Sequence, residues 1–261
     1  EPSPRSRIGG KFAQKHRGVA WQGGGMWSWG PYVVGWCAGW WMLWRLRPLP
    51  GAAPSRLAVA AIVPARNEAE LIGGLVATLV AQAQPGDEVV VVDDHSTDGT
   101  ASAAAAAGAR VVAADDFDAS WFGKPHACHT GVQATTAPLL VFVDADVQPP
   151  ADLFDRLAAT TAEEELVTVQ PWHRTERLYE QASLLPNIVA LMGCAAFTPM
   201  GQRAAATVAF GPVIAVRRST YERSGGHAHP RVRSAGLEDV ALARVVGRSR
   251  IFSGAPDIAV R

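Results

Sequence analysis

Short apolar runs alternate with helix-like segments from residue 57 to residue 143, and no other feature constrains the fold as strongly. The apolar runs are Leu57–Val63, Asp87–Val92, Val111–Ala113 and Leu139–Val143. The segments between them, which show helical spacing or are rich in alanine, are Glu68–Gln82, Thr100–Gly108 and Lys124–Ala134. Strands that are apolar throughout belong to parallel sheets covered by helices on both faces. The sequence therefore predicts an α/β domain with a mostly parallel central sheet.

Residues 26–44 form an uncharged stretch that is rich in tryptophan. As a helix it would extend roughly 28 Å, close to the thickness of a bilayer core. Trp27 and Trp29 lie near one end and Trp40, Trp41 and Trp44 near the other, as in an aromatic belt. We expect one transmembrane helix or a helix in the membrane interface, with a helix buried in the protein as the alternative. Basic residues lie on both sides of the stretch, so charge does not determine its orientation.

Composition suggests the remaining boundaries. Residues 1–25 are basic and rich in glycine and predict a flexible N-terminus, residues 45–56 indicate a proline-rich linker, and residues 57–261 form the predicted domain. The apolar segment Leu184–Met200 predicts a core helix, with an interfacial or acceptor-facing element as the alternative. Because the chain begins with Glu1 and stops at Arg261, just after a predicted strand, we expect a truncated C-terminus.

The charge balance and the cysteines exclude some functions. Lys plus Arg and Asp plus Glu each number 24, which argues against nucleic-acid binding. Cys37, Cys128 and Cys194 form no CxxC pair, so we interpret them as reduced thiols rather than zinc ligands. Reduced thiols are consistent with a domain that faces the cytoplasm from the cell membrane.

Acidic residues follow the second and fourth predicted strands. Asp93 and Asp94 end the second strand, and Asp144-Ala145-Asp146 ends the fourth. Residues i and i+2 of an extended chain point to the same side, so Asp144 and Asp146 aim two carboxylates at one point. Mg²⁺ and Mn²⁺ prefer such oxygen ligands and commonly bind through one or two carboxylates plus substrate phosphates. In sheets of this kind, ligands bind at the carboxyl ends of the strands.

Each polar motif also has a purely structural interpretation. Asn67 could cap the helix after the first strand, and Asp98 or Ser96 could cap the next helix. Glu238 and Asp239 could simply stabilise the start of a helix through its dipole. Capping explains one acidic residue after the second strand but not Asp93, Asp94 and Asp98 together.

The motifs occur in the order VPARNE, VVVDDHSTDGT, WFGKPHAC, VFVDAD, FGPVIAVRRSTYERSGGH and LEDVALA. In this ordered set, which covers about residues 57–255, the chain resembles the family 2 glycosyltransferases, which have the Rossmann-like GT-A fold. Within that family it most resembles membrane-associated carotenoid-acid (diaponeurosporenoate) glycosyltransferases and ceramide glucosyltransferase-like enzymes. It departs from the processive synthases, because no QxxRW motif follows Asp239.

The resemblance implies a role for each motif residue. On the donor side, Pro64, Arg66 and Glu68 would border the nucleotide. Asp93 and Asp94 would contact its base or ribose, and Lys124 would meet the diphosphate. Asp144 and Asp146 would hold the ribose and Mg²⁺ or Mn²⁺. Asp146 would be the more direct metal ligand. Asp239 would be the general base, with Glu238 as the alternative. His227, with His229, would border the acceptor entrance and Trp121 would shield the donor site, with ordinary packing as the alternative for each.

The activity implied is inverting transfer of a sugar from a nucleotide-sugar, by resemblance a UDP-sugar, to a lipid-like or polysaccharide acceptor at a membrane. Three alternatives remain: a fragment of a processive polysaccharide synthase, a sugar-phosphate nucleotidylyltransferase, and a non-catalytic membrane protein that binds nucleotide-sugars. VPARNE lacks the glycine-rich phosphate loop of the nucleotidylyltransferases. An intact set of Asp144, Asp146 and Asp239 argues against a non-catalytic protein.

Overall fold

A computed structural model describes residues 29–51, 56–116, 119–161, 165–170, 172–173, 184–201, 207–254 and 258–260. The chain divides into two units, Glu1–Ala38 and Gly39–Arg261. The predicted flexible segment 1–25 lies outside the described residues. The second unit holds the sheet that the sequence predicts.

Seven strands form the main sheet in the order β3-β2-β1-β4-β8-β6-β9. Their bounds are β1 Val59–Ala65, β2 Glu88–Asp93, β3 Arg110–Ala113, β4 Leu139–Val143, β6 Leu166–Gln170, β8 Val213–Arg217 and β9 Ser249–Ser253. Only β8 runs against the others, because it pairs antiparallel with both β4 and β6 while the remaining pairs are parallel. The predicted α/β fold with a mostly parallel sheet is therefore confirmed.

A second, three-stranded sheet has the order β5-β10-β7. Its strands are β5 Val147–Gln148, β7 Trp172–His173 and β10 Ala259–Val260. The described helices are α1 Gly30–Met42, α2 Ile72–Ala81, α3 Thr100–Ala106, α4 Gly123–Gln133, α5 Leu153–Thr160, α6 Leu184–Gly193, α7 Arg218–Ser224, α8 Pro230–Arg233 and α9 Glu238–Val246, with a 3₁₀ turn at Gly226–Ala228.

Helices cover both faces of the main sheet because alternate strand residues point to opposite sides. Ala61 and Val63 of β1 pack in one apolar cluster with residues of α2 and α5. Ala60 and Ile62 of the same strand pack in another cluster with residues of α4 and α9. β1 is thus buried on both faces, which explains its continuous apolar run.

The folded unit begins before Leu57, the predicted start of the domain. In the segment predicted to be a linker, Leu49 is buried in the core cluster that contains α2. The carbonyl of Arg47 accepts a hydrogen bond from the amide of Ser253 at 2.8 Å, and that of Leu49 accepts one from Arg156 Nη2 at 2.8 Å. Arg47 and Leu49 of the predicted linker therefore contact the domain, which the proline content does not reveal.

A buried ion pair fixes the beginning of β1. Both guanidinium nitrogens Nη1 and Nη2 of Arg56 donate to the Asp87 carboxylate, at 2.8 and 2.6 Å, and Asp87 also accepts from the amides of Val59 and Gln84. The two side chains are 3% and 1% exposed. Burial by itself would raise the pKa of Asp87, but the hydrogen bonds and the charge of Arg56 hold that pKa below its ordinary value.

The tryptophan-rich segment contains a helix, but the described part of it is short. The helix α1 spans 13 residues, Gly30–Met42, and none of them is buried. Across the described parts of the chain, no helix is both long enough and apolar enough to cross a bilayer. Residues 26–28 of the predicted membrane segment lie outside the described residues.

The helix α6 occupies the first part of the segment predicted to form a core helix. Its side chains are described from Ile188 onward, and Ile188 and Val189 are 42% and 66% exposed. Further along, Leu191 and Cys194 are partly buried against Phe197. The core interpretation is therefore wrong for the exposed residues of this helix.

Candidate functional site

The carboxyl ends of β1, β2 and β4 meet at one edge of the sheet, because these three strands are adjacent and parallel. A cleft of about 300 Å³ opens there. Its lining residues are Pro64, Ala65, Arg66, Glu68, Asp94, Lys124, Ala127, Asp144, Ala145 and Asp146. The structure thus brings together seven of the predicted donor-side residues, from stretches that are far apart in the sequence.

A second, smaller cavity adjoins this cleft. It shares Pro64, Lys124 and Asp144 with the cleft. Its other lining residues are Cys128, Phe142, Gly211, Ile214, His227, Glu238 and Asp239. Asp239 therefore does not line the cleft of Asp94 and Asp146, but it lies in a cavity that has one wall in common with that cleft.

Lys124 lies at the junction of the two cavities. Its Nζ is 2.8 Å from Asp144 Oδ1 and 2.9 Å from Glu238 Oε1. Burial by itself would lower the pKa of Lys124, but the charges of Asp144 and Glu238 raise it above its ordinary value. The side chain is therefore a cation that joins a carboxylate of the donor side to a carboxylate at the start of α9.

Asp94 is held in a single position at the bottom of the cleft. It is 7% exposed, and its Oδ1 is 3.0 Å from His95 Nδ1, while His95 Nε2 is 3.1 Å from Asp116 Oδ1. The carboxylates of Asp94 and Asp116 raise the pKa of His95. A Cβ atom on residue 123 would lie 2.5 Å from Asp94 Oδ2, so a larger residue there would require the Asp94 carboxylate to shift.

Asp93 is placed differently from its neighbour. Among the described residues that line the two cavities, Asp93 is absent. Asp93 is the last residue of β2, and its contact with the donor stays a prediction.

Hydrogen bonds join the loop after β1 to the loop after β2. Asn67 Oδ1 accepts from the amide of Thr97 at 2.8 Å, and the amide of Asn67 donates to Ser96 Oγ at 3.0 Å. Asp98 Oδ1 accepts from the amide of Thr100 at 3.0 Å, but the N-cap position of α3 is Gly99, so Asp98 makes a local turn just before the helix rather than the predicted cap. Asn67 instead joins the two loops rather than capping a helix, and its φ of 57° is a left-handed conformation that asparagine tolerates.

Glu68, Asp144 and Asp146 concentrate negative charge on one side of the cleft. Burial raises the pKa of Glu68, and the charges of Asp146, Asp98 and Asp144 raise it further. Within the described ranges, no group of three or more His, Cys, Asp or Glu side chains forms a complete metal cage. Two carboxylates in a cleft large enough for a diphosphate still fit Mg²⁺ or Mn²⁺, which commonly takes its remaining ligands from phosphates and water.

Asp239 lies in the first turn of α9 with its carboxylate in the smaller cavity. Burial raises the pKa of Asp239 and the charge of Glu238 adds to this, whereas the amide of Val240 and the charge of Lys124 act in the opposite direction. A Cβ atom on Gly211 would lie 3.3 Å from Asp239 Oδ2 and 3.4 Å from Lys124 Nζ. The backbone at Gly211 therefore borders both charged groups.

His227 is a buried residue that lines the smaller cavity. It is 2% exposed, its Nδ1 is 3.0 Å from the Tyr221 hydroxyl, and its ring meets Phe142 edge-on at 4.9 Å. Burial lowers the pKa of His227 to about 3, so the ring is neutral. Its contact with an acceptor stays a prediction. His229 caps α8, with its Nδ1 accepting from the amide of Arg231 at 3.1 Å.

Trp121 packs on the helix that follows it. Its ring stacks on His129 with a centroid distance of 5.3 Å and meets His126 edge-on at 5.4 Å. Of the described residues around the two cavities, Trp121 lines neither. Packing, which was the alternative interpretation, accounts for this residue.

Three residues at or beside the site were not predicted from the sequence. Gly123 leaves room for Asp94, Gly211 borders Asp239 and Lys124, and Cys128 is a buried thiol beside Lys124. Burial raises the pKa of Cys128, so the thiol is neutral. Gly123 and Gly211 lie in the motifs WFGKPHAC and FGPV, but nothing in a single sequence shows which side chain would meet an added Cβ atom.

Comparisons with known proteins show the family of the chain. The model of the family described as Glycosyl transferase family 2 matches residues 60–219. Proteins of Staphylococcus aureus strains USA300 and NCTC 8325, named 4,4'-diaponeurosporenoate glycosyltransferase, are 38% identical over 175 residues. These matches cover 65% of this chain and 46% of each relative. The chain thus spans about half the length of the curated relatives it matches.

Two solved structures share the fold. A mannosyltransferase from Pyrobaculum calidifontis in complex with GDP-Man and Mn²⁺ superposes with a TM-score of 0.61 at 24% identity, covering 88% of this chain and 63% of that one. Glucosyl-3-phosphoglycerate synthase from Mycobacterium tuberculosis in complex with Mn²⁺, uridine diphosphate and glucosyl-3-phosphoglycerate superposes with a TM-score of 0.53 at 22% identity. That match covers 83% of this chain and 80% of the synthase.

Proposed function

Because the chain belongs to glycosyl transferase family 2, we propose that it transfers a sugar from a UDP-sugar to a lipid-like acceptor, with inversion at the anomeric carbon. One observation carries the proposal. Lys124 joins a cleft lined by Asp94, Asp144 and Asp146 to a cavity lined by Asp239. A diphosphate-sugar has its leaving group and its reacting carbon at neighbouring positions, and these joined cavities provide a charged environment for each.

The donor nucleotide is assigned to the cleft. Asp94 is fixed by His95 and accepts hydrogen bonds from ribose hydroxyls or the base, while Pro64, Arg66 and Glu68 border the nucleotide. Lys124 supplies a positive charge to the diphosphate, whose negative charge grows as the bond to the sugar breaks. Holding the donor in this orientation lowers the barrier further, because the reacting groups no longer have to find each other in solution.

Asp144 and Asp146 are the residues that would hold Mg²⁺ or Mn²⁺, with Asp146 as the more direct ligand. Two proteins of the same fold were solved with Mn²⁺ and a nucleotide or nucleotide-sugar, which agrees with this assignment. When bound, a divalent cation neutralises charge on a departing diphosphate. The chain's own contribution is the pair of carboxylates and the neighbouring ammonium of Lys124.

Asp239 is assigned as the general base. Its carboxylate lies in the cavity that adjoins the cleft, so it can accept the proton of an acceptor hydroxyl on the face of the sugar opposite the leaving diphosphate. Attack on that face inverts the anomeric centre. The raised pKa of Asp239 makes its carboxylate a stronger base than an ordinary aspartate.

The acceptor is assigned as a lipid-like molecule at a membrane. The curated relatives carry the name of 4,4'-diaponeurosporenoate, a carboxylate, as their acceptor. In this chain, Trp36, Trp40, Trp41 and Trp44 are 67%, 60%, 50% and 65% exposed along or just after α1. Indole rings favour the membrane–water interface. We therefore assign α1 to the cell membrane. The cytoplasmic side is assigned to the catalytic domain on the separate ground that its cysteines are interpreted as reduced thiols.

Product analysis tests the function. The protein is incubated with UDP-sugars, Mn²⁺ or Mg²⁺ and a membrane lipid extract, and new glycosides are identified by mass spectrometry. We expect one new lipid glycoside, equimolar UDP, and an inverted anomeric proton signal by NMR. Release of pyrophosphate would instead identify a nucleotidylyltransferase, a ladder of polymers would identify a processive synthase, and nucleotide binding without turnover would identify a non-catalytic protein.

Flotation with lipid vesicles tests the membrane assignment. The protein is expected to float with vesicles of a neutral and an anionic phospholipid, because the exposed indoles partition into the interface. Replacing Trp40 and Trp41 by alanine should reduce the floated fraction several-fold. The control replaces the exposed Trp172 of β7, which lies outside α1, and should float as the wild type does. Equal flotation of all three proteins would contradict the assignment.

A further inference from the structure

Lys124 already forms an ion pair with Asp144, one of the two carboxylates to which the divalent cation is assigned. Its ammonium is 2.8 Å from Asp144 Oδ1, a distance typical of a strong charge-assisted hydrogen bond. A divalent cation and an ammonium cannot both bind this oxygen without strong repulsion. Cation binding at Asp144 Oδ1 therefore requires Lys124 to move.

Lys124 has a second partner that can hold it after such a move. Its ammonium is also 2.9 Å from Glu238 Oε1, and the Glu238 side chain is only 13% exposed. The lysine side chain is a flexible four-carbon stem with a compact charge, so small rotations shift the ammonium without moving α4. A carboxylate left alone at the position of Glu238 would be costly, because it is largely removed from water.

Lys124 has room to turn between the two cavities. Gly211 lies beside it without a side chain, and even an added Cβ atom there would lie 3.4 Å from Nζ. Lys124 lines both the cleft and the smaller cavity, so the ammonium can turn toward the cleft that is assigned to the diphosphate.

We propose that Lys124 occupies Asp144 until the divalent metal binds there. Lys124 then leaves Asp144 but keeps its ion pair with Glu238, so metal binding turns the ammonium toward the donor diphosphate. This inference rests on the proposed function of the cleft. It makes Glu238 a positioning residue that acts through Lys124 and leaves the role of base to Asp239. It also makes the diphosphate and the metal bind cooperatively, because the phosphate oxygens provide a new partner for the displaced ammonium.

The test measures Mn²⁺ affinity without nucleotide, from the free-ion signal in electron paramagnetic resonance. Lys124→Met should bind Mn²⁺ about tenfold more tightly than the wild type, because no ammonium has to leave Asp144. Glu238→Gln should bind it several-fold more weakly, because the displaced ammonium has lost its second partner. Arg244→Met removes one charge from the exposed part of α9 and should match the wild type within about twofold.

The double variant Lys124→Met/Glu238→Gln separates this exchange from simple charge effects. If Glu238 acts through Lys124, the double variant binds Mn²⁺ as tightly as Lys124→Met. If Glu238 acts only through space, its full effect persists in the Lys124→Met background, and the proposal is overturned. Unchanged Mn²⁺ affinity in Lys124→Met also overturns it.

Titrations with UDP complete the test. UDP should tighten Mn²⁺ binding to the wild type at least tenfold, and less so in Lys124→Met. None of these measurements needs sugar transfer, so a protein that transfers no sugar but shows this pattern would contradict the proposed function and support the exchange. A wild type that binds no Mn²⁺ even with UDP overturns the exchange together with the metal assignment.

Discussion

Replacing Asp239 by asparagine is expected to slow transfer to a hydroxyl acceptor by about 10²–10⁴-fold, the usual contribution of a general base. Asparagine keeps the shape of the side chain but cannot accept the proton. The same variant should transfer to a carboxylic-acid acceptor at nearly the wild-type rate, because that acceptor is already ionised near neutral pH. Initial rates with a matched alcohol and acid of equal chain length measure both effects.

The pH dependence of the wild type provides a second measurement of the same role. Asp239 acts as a base only when it is ionised, and burial raises its pKa. The rate with a hydroxyl acceptor should therefore fall as the pH drops through this raised pKa, at a higher pH than an ordinary aspartate would give. Thermal melting and UDP affinity of Asp239→Asn should match the wild type. If Asp239→Asn transferred sugar to the hydroxyl acceptor at the wild-type rate, Asp239 would not be the general base.

Replacing Asp87 by alanine is expected to lower the free energy of unfolding by about 3–5 kcal/mol, because it leaves the charge of Arg56 buried without its main partner. The measurement is denaturant unfolding of both proteins near neutral pH. Asp155→Ala is the matched control. It removes the other carboxylate that pairs with Arg56, but this side chain is 32% exposed, so the loss should be about 1 kcal/mol or less.

The free energy of unfolding should also depend on pH in a defined direction. The folded pKa of Asp87 is depressed, so its stabilisation is fully present above the unfolded value of about 3.9 and is lost as the pH falls through the folded value. The wild type should therefore lose part of its advantage over Asp87→Ala below about pH 4. A cost below about 1 kcal/mol near neutral pH would show that the buried pair does not anchor β1.

The sequence was sufficient to predict the sheet and the approximate position of the site. Apolar runs mark β1, β2 and β4, and parallel strands bring Asp94, Asp144 and Asp146 to one edge. Helix starts were less predictable. The predicted helix at Glu68 begins only at Ile72, because the amide of Glu68 donates to Thr100 Oγ1 and Asn67 has a left-handed conformation.

Contacts between distant segments could not be predicted from one sequence. His227 is buried because Phe142 and Tyr221 pack around it, and no local pattern near residue 227 indicates those partners. Lys124 was expected to meet a diphosphate, but its ion pairs with Asp144 and Glu238 depend on how α4 and α9 meet. Leu49 joins the core from a proline-rich segment for the same reason.

The central claim is that the cleft of Asp94, Lys124 and Asp146 binds a nucleoside diphosphate together with a divalent cation. Isothermal titration of UDP into the full chain, with and without Mn²⁺, measures this directly. We expect one UDP per chain, Mn²⁺-dependent affinity, at least tenfold weaker binding in Asp94→Ala and no Mn²⁺ dependence in Asp146→Ala. UDP binding that is equally tight in the wild type and both variants would contradict the claim.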